Sequence, residues 1–346
     1  MLAKFSYKWQ SDRHMGRVFI TGGAGFIGSH LAGALLERGD EVVALDNEST
    51  GSAKNVAGLL SNPRFRYHRG SVADRELVRS LLTGADQVYH LAAAVGVQLI
   101  ASNPIQTIES NVYLTELLLA EMRSLQQQGA ATKLFLASSS EVYGKNPRPR
   151  WDEEEDLVFG PTTRARWSYG VSKAIDEFLA MAYHHQHGLP VVVGRFFNVV
   201  GPRQTGRYGM VLPRLVDAAL AGGPLVVHDD GRQIRCFAHV RDVVRAVMGL
   251  MDCPEAVGQV FNIGSDRPIS ILELAQKVAD AVHPNLNIDF ESYEDAFGAN
   301  FEDVRSRVPD LSKLRNTLGE QTVIELDEII AELVALGRGA DGSEAP

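Results

Sequence analysis

Tyr169 and Lys173 stand four residues apart, one turn of a helix and therefore one face. A lysine so placed depresses the phenol's pKa by its charge, turning a poor base into one that accepts an alcohol proton near neutral pH. Tyr-x-x-x-Lys is a common pattern and taken alone reads as an exposed pair. Upstream, however, Ser138-Ser139-Ser140-Glu141-Val142-Tyr143-Gly144 follows the apolar run Lys133 to Ala137. Hydroxyls and a carboxylate thus emerge at the carboxyl end of a strand, the edge at which open α/β sheets bind ligands.

A second constellation opens the chain. The strand-like run Arg17 to Thr21 breaks into Gly22-Gly23-Ala24-Gly25-Phe26-Ile27-Gly28 before an amphipathic stretch. Glycines at these spacings allow a tight turn, close approach to a pyrophosphate and close helix packing, with the helix N-terminus attracting the anion. Asp46 ends the next apolar run, where a carboxylate accepts ribose hydroxyls and repels a 2′-phosphate. The pair predicts a dinucleotide site for NAD rather than NADP.

These groups need a sheet to hold them. Short apolar runs at Val42 to Leu45, Phe65 to His68, Gln87 to Leu91, Lys133 to Ala137, Val191 to Phe196 and Gln259 to Ile263 alternate with helical patterns, among them Ile105 to Arg123, Ser168 to His187 and Leu212 to Ala221. That alternation predicts an α/β fold, a Rossmann-type doubly wound parallel sheet. A smaller, interleaved C-terminal lobe is expected: residues 16–200 with 236–265 form the dinucleotide-binding domain, and 201–235 with 266–336 the lobe. Residues 1–15 read as a leader or tag, and 337–346, rich in Gly, Ala and acid, as a disordered tail. Between Gly144 and Trp167 runs a long segment broken by Pro147, Pro149 and Pro161. Its acidic run, Asp152 to Asp156, reads as solvated loop.

The 346 residues carry 34 basic and 43 acidic side chains, a net charge of −9, which opposes nonspecific binding to nucleic acid or anionic lipid. Two cysteines, Cys236 and Cys253, are too few for a disulfide framework and fit a reducing cytoplasm. No apolar run is long enough for a membrane span. The His184-His185-x-His187 cluster ends a predicted helix, where it serves the dipole or faces water, and no metal site is expected. Asp242 reads as a stabiliser of a helix N-terminus.

With these motifs in place, the chain resembles the extended short-chain dehydrogenases/reductases of the NAD-dependent sugar-nucleotide epimerase, dehydratase and decarboxylase family, from about Arg17 to Leu318. Further matching segments are His90-Leu91-Ala92-Ala93, Asn111, Arg195 to Arg203, Arg235 to Val243 and Phe261-Asn262-Ile263-Gly264. The resemblance implies an NAD site formed by Gly22, Gly25, Phe26, Ile27, Gly28, Asp46, Asn47, Ser71, Val72, Leu91, Ala92, Ala93, Asn111, Ser138, Tyr169, Lys173, Phe196 and Val199. It implies substrate contacts from Val95, Asn198, Val211, Val227, His228, Arg235 and Arg307, and a homodimer through a four-helix contact made by the helices at Ile105 to Arg123 and Ser168 to His187.

Members of this family first oxidise a sugar C4 hydroxyl. In the 4,6-dehydratases an Asp-Glu pair follows the catalytic threonine. Here the matching pair is Ser140-Glu141, as in UDP-glucuronate decarboxylases, and a carboxylate at 141 is unneeded for 4-epimerisation. Arg164-Ala-Arg166-Trp167-Ser168-Tyr169 and the arginine-containing segment Phe301 to Asp310 lean the same way, although Arg307 alone suits either an epimerase or a decarboxylase. The resemblance therefore implies decarboxylation of UDP-glucuronate to UDP-xylose, with Tyr169, Lys173, Ser140, Glu141 and Arg307 as the catalytic group. A 4-epimerase or a nucleotide-sugar dehydratase remains the alternative. A non-catalytic NAD sensor would normally lack Tyr169 or Lys173.

Overall fold

The computed structural model describes residues 15–94, 104–206, 210–297 and 302–341. Seven strands pair in parallel into the central sheet: β1 (Arg17–Thr21), β2 (Glu41–Asp46), β3 (Phe65–Arg69), β4 (Gln87–His90), β5 (Lys133–Ser139), β6 (Val191–Phe196) and, after four short strands outside this sheet, β11 (Gln259–Ile263). The order is β11-β6-β5-β4-β1-β2-β3. The chain moves outward from β1 to β3, then crosses to β4 and runs the other way. That reversal beside β1 opens a crevice at the carboxyl ends of the strands, where such folds bind ligands.

Parallel strands carry helices on both faces and so read as nearly continuous apolar runs. In β1, Val18 and Ile20 join one core with helix α1 (Phe26–Arg38), while Phe19 between them joins the opposite core. That second core is capped by α2 (Arg75–Leu82), α3 (Pro104–Gln126) and α4 (Ser168–His187). Helix ends follow local chemistry. Asp74 accepts from the Leu77 amide to start α2, and Gly39 and Gly188, both in the left-handed region, stop α1 and α4. His184, in the last turn of α4, bonds the Leu189 carbonyl through Nδ1 at 2.8 Å.

A third apolar cluster lies apart from the sheet. It joins α5 (Val211–Leu220), strand β8 (Leu225–His228), α7 (Ile271–Val282) and α10 (Leu326–Asp341), by way of Leu215, Val227, Leu274 and Ile330. Helix α6 (Val240–Asp252), between β8 and α7 in sequence, packs instead with α1 on the sheet. The chain therefore leaves the sheet after β6, returns for α6 and β11, and leaves again. Asp242 lies in the first turn of α6, where it pairs with Arg245 and accepts the Ile324 amide. Among the described residues no helix is long and apolar enough to cross a membrane.

Two expectations are corrected. The stretch from Gly337, read as tail, is helical as far as Asp341, where it continues α10 (Leu326–Asp341). The acidic run is also only partly solvated. Asp152, Glu154 and Asp156 are exposed, but Glu153 turns inward and accepts the Asn262 amide at 2.7 Å, and burial raises its pKa.

The long segment after Gly144 is fixed by aromatics. Trp151, 1% exposed, stacks on Tyr143 with ring centroids 4.9 Å apart and touches Phe197. Its amide donates to Val308 and its carbonyl accepts from Asp310, which ties the segment to residues 304–310. Trp151→Ala is expected to lower the unfolding free energy by about 3–5 kcal/mol, measured by urea denaturation, and to release the 146–160 segment to limited proteolysis.

Candidate active site

A single cavity of about 860 Å³ runs along the carboxyl edge of the sheet into the added lobe. At one end is the glycine turn. The Gly22 amide donates to Leu45, and Gly25 closes the turn on the Gly22 carbonyl at 3.1 Å. Gly22 has φ +73°, and a Cβ there would press on the Ala92 backbone, while one on Gly28 would collide with the Gly22 carbonyl. Helix α1 begins at Gly25 with no side-chain cap, so its first amides are open to an anion. Asp46 is fixed from both sides, Oδ2 accepting from Ala24 and Oδ1 from Glu48. With the Gly25 amide close by as well, the carboxylate keeps at least one lone pair for a ribose hydroxyl. These residues fit a dinucleotide.

Of the other cofactor positions expected, Phe26, Ile27, Asn47, Val72, Leu91, Ala92, Ala93, Phe196 and Val199 line the cavity, as does Ser138. The Ser138 hydroxyl is nevertheless engaged inward, donating to Glu177, which also pairs with Arg195. Ser71 lies outside the lining; its hydroxyl accepts the Ala73 amide instead. Asn111 is also behind the wall, where it accepts from the Ala94 amide at 2.8 Å and donates to Ser172 at 3.0 Å. It positions the strand-end loop and α4 against each other.

At the middle of the cavity, β5 ends and a 3-10 turn carries Ser140 to Tyr143. Ser139, Ser140, Glu141 and Tyr169 all line this part. Ser139, the residue before the Ser-Glu pair, faces the Tyr169 phenol and favours its ionised form. That partner was missed because a run of three serines does not say which hydroxyl faces the phenol. Lys173 is not in the lining. It donates to Asp176 Oδ2 at 2.8 Å, both side chains almost fully buried, because a buried ammonium needs a counter-charge. The expected lowering of the phenol by Lys173 is accordingly not found. Burial pushes Tyr169 up, Glu141 adds to this, and the Ser139 hydroxyl opposes it.

Glu141 anchors the far wall. Arg166 donates to its Oε1 at 2.9 Å and approaches Oε2 at 2.7 Å, and Arg307 hydrogen-bonds Oε1 as well. Arg307 continues to Asp303 at 3.3 Å, and Asp303 accepts from Arg235 and from the Tyr293 hydroxyl, each at 2.7 Å. Burial acts against the charge on Glu141, but the two guanidiniums outweigh it and hold the carboxyl well below its usual range. Arg166 and Asp303 complete this line; Arg166 reaches Glu141 across 25 residues and Asp303 reaches Arg235 across 68, contacts that spacing along the chain does not give.

Toward the lobe, Asn198, Val211, His228 and Arg235 line the cavity as expected. Asn198 adopts φ +31° and donates to the Cys236 carbonyl. Val227 does not line it. The alternation of β8 turns Val227 into the lobe core at 0% exposure and leaves His228 facing the cavity, its ring 6.1 Å from Tyr293. Arg214, on α5, also lines this end and was not foreseen. Val95 falls outside the described residues.

Residues 18–264 match the NAD-dependent epimerase/dehydratase family. The chain belongs to that family. It is 39% identical to a UDP-N-acetyl-alpha-D-glucosaminuronate decarboxylase of Bacillus cytotoxicus, over 86% of this chain and 90% of that one. It is 35% identical to UDP-glucuronic acid decarboxylase 1 of Arabidopsis thaliana, over 92% of this chain and 69% of that protein. Among solved structures, a UDP-glucuronic acid 4-epimerase from Bacillus cereus, in complex with UDP-glucuronic acid and NAD, superimposes with a TM-score of 0.82 at 28% identity, covering 93% of this chain and 99% of that one.

Because the folded-state pKa of Glu141 is depressed, its ionisation stabilises the fold above the usual carboxylate range and that contribution fades as pH falls toward the folded value. Glu141→Gln is expected to cost about 3–5 kcal/mol at pH 7. In urea unfolding, the gap from the unsubstituted protein should narrow once the pH drops below about 4.

Proposed function

We propose that this chain decarboxylates UDP-glucuronate to UDP-xylose. The observation that carries the reading is the state of Glu141, a carboxylate kept ionised by Arg166 and Arg307 next to Tyr169 and Ser139. A side chain so held cannot protonate a departing C6 hydroxyl, and Ser140 supplies no acid in its place. Decarboxylation needs no acid at that carbon, since oxidation at C4 of a uronate gives a β-keto acid whose carboxylate leaves as carbon dioxide. The relatives named as uronate decarboxylases support the same choice.

In this reading, bound NAD supplies the two-electron acceptor for C4 and later returns the pair. Tyr169 takes the C4 hydroxyl proton, with Ser139 and Ser140 holding the oxygen. Lys173, held by Asp176, stands one turn from the phenol on the same helix. Arg307 and Arg235 face the substrate's anionic groups, where a guanidinium fork suits carboxylate or phosphate. As carbon dioxide departs, its bonding electrons pass into the C4 ketone as an enolate, C5 takes a proton from water beside Glu141, and the C4 oxygen regains one from Tyr169. His228 and Tyr293 form the wall for the base. The Bacillus cytotoxicus relative makes an N-acetylated uronate the second substrate to try. Free Cys236 and Cys253 suit a reducing cytoplasm.

The pairing face is proposed on separate grounds. Ile105, Ile108 and Tyr113 on α3 and Val171, Ile175 and Phe178 on α4 are exposed, an apolar patch of the kind that marks an interface. Two copies packing these helices would form a four-helix contact.

Incubation with UDP-glucuronate and sub-stoichiometric NAD is expected to release carbon dioxide and give UDP-xylose by mass spectrometry; a product of unchanged mass, or one short of water, excludes this reading. Tyr169→Phe should lower turnover at least about 100-fold while NAD still binds. Phe178→Glu should convert a dimer to a monomer in sedimentation velocity, with no change expected in the far-ultraviolet circular dichroism.

A further inference from the structure

We infer that Asp176 is a positioning residue which, through Lys173, sets how readily Tyr169 ionises. The inference rests on Tyr169 being the proton acceptor. Asp176 lies one turn beyond Lys173 on α4, is wholly buried, and holds the ammonium at 2.8 Å. A surface pair at i, i+3 is worth little, but here neither partner reaches solvent, and the ammonium belongs to the residue whose charge is meant to act on the phenol.

The surroundings leave that carboxylate as the group opposing the lysine. On β4, His90 is pushed down to about 3, first by burial and then by Lys173, so it is neutral at working pH. Its ring bonds Thr21 of β1 at 2.7 Å and Thr115 of α3 at 3.3 Å. On α4 itself, Glu177 is engaged by Arg195 and Ser138. Across the cavity, Glu141 is compensated by Arg166 and Arg307, and Arg235 by Asp303. Around Tyr169, then, one carboxylate is matched by two arginines and the other, Asp176, by Lys173 alone.

The sign follows. With Asp176 ionised, the Lys173–Asp176 pair is neutral from a distance and does little to favour phenolate. Making position 176 uncharged leaves the ammonium uncompensated, and phenolate becomes easier to form. The conserved geometry of an amide keeps the hydrogen bond to Lys173 while removing the charge. A residue present only for packing would change stability without changing this ionisation.

The test uses the NAD-loaded chain. Asp176→Asn is expected to move the acid limb of the kcat profile to lower pH by roughly half to one unit, and Asp176→Glu to leave it in place. The phenolate absorbance attributable to Tyr169, taken as the difference from Tyr169→Phe, should shift by the same amount; it needs no turnover and therefore stands even if UDP-glucuronate is not converted. Should Asp176→Asn fail to fold, Asp176→Ser, which leaves room for a water beside Lys173, carries the same expectation. An unmoved limb and an unmoved phenolate band in the uncharged variant, or an equal shift in Asp176→Glu, overturns the inference.

Discussion

A buried charge must meet an opposite one, and the reacting part of this cavity is built on that requirement. Arg166, Glu141, Arg307, Asp303 and Arg235 alternate in sign along one wall. They come from four separate stretches of chain: the turn before α4, the turn after β5, the segment 302–310 and strand β9 (Ile234–Cys236). Through Glu141 and Arg307 the line joins the turn after β5 to the segment 302–310, and through Asp303 and Arg235 it runs on to β9. Remove one member and a neighbour is left charged and buried, a far larger cost than the loss of an exposed pair. The line therefore fixes where the lobe-derived arginines stand relative to the sheet-derived phenol and serine.

The aromatic cluster behind this wall does the corresponding work for the backbone. Tyr143 donates to Asn262 on β11 at 2.7 Å, Arg195 of β6 lies 4.7 Å over its ring, and Trp151 binds the 308–310 backbone. The proline-broken segment is thus a brace between the end of β5 and the segment carrying Arg307. Its acids take part, since Glu153 meets the Asn262 amide. Proline rigidity here lowers the entropy lost on ordering a long connection.

Period and spacing made the sheet legible, along with the glycine turn, Asp46 and the one-face relation of Tyr169 and Lys173, because each depends on neighbours a few residues apart. What the sequence left hidden depends on distant contacts. Ser139 rather than Ser138 meets the phenol because β5 alternates and Ser138 is drawn inward by Glu177. Val227 and His228 trade places for the same reason, a one-residue choice of face. Lys173 was expected to act on Tyr169 unopposed, and the opposing Asp176 sits three positions along the same helix, within reach of the motif but outside its pattern. The tail failed differently, since a glycine that reads as a breaker continues α10 beside Leu220.

The charge balance of the wall ties these points to the substrate. Three guanidiniums against two carboxylates leave one net positive charge on a wall of a chain whose formal charge is −9. An anionic sugar nucleotide meets repulsion from the surface at large and attraction in the crevice, which narrows where it can dwell. The two carboxylates do not defeat this attraction, because they are what keeps the arginines close together and desolvated. Without Glu141 and Asp303, three guanidiniums would spread toward water and lose the fork geometry that a diphosphate or a uronate requires. The acids in the wall are thus part of the anion site, and the ionised Glu141 is the condition for Arg307 to be available beside Tyr169.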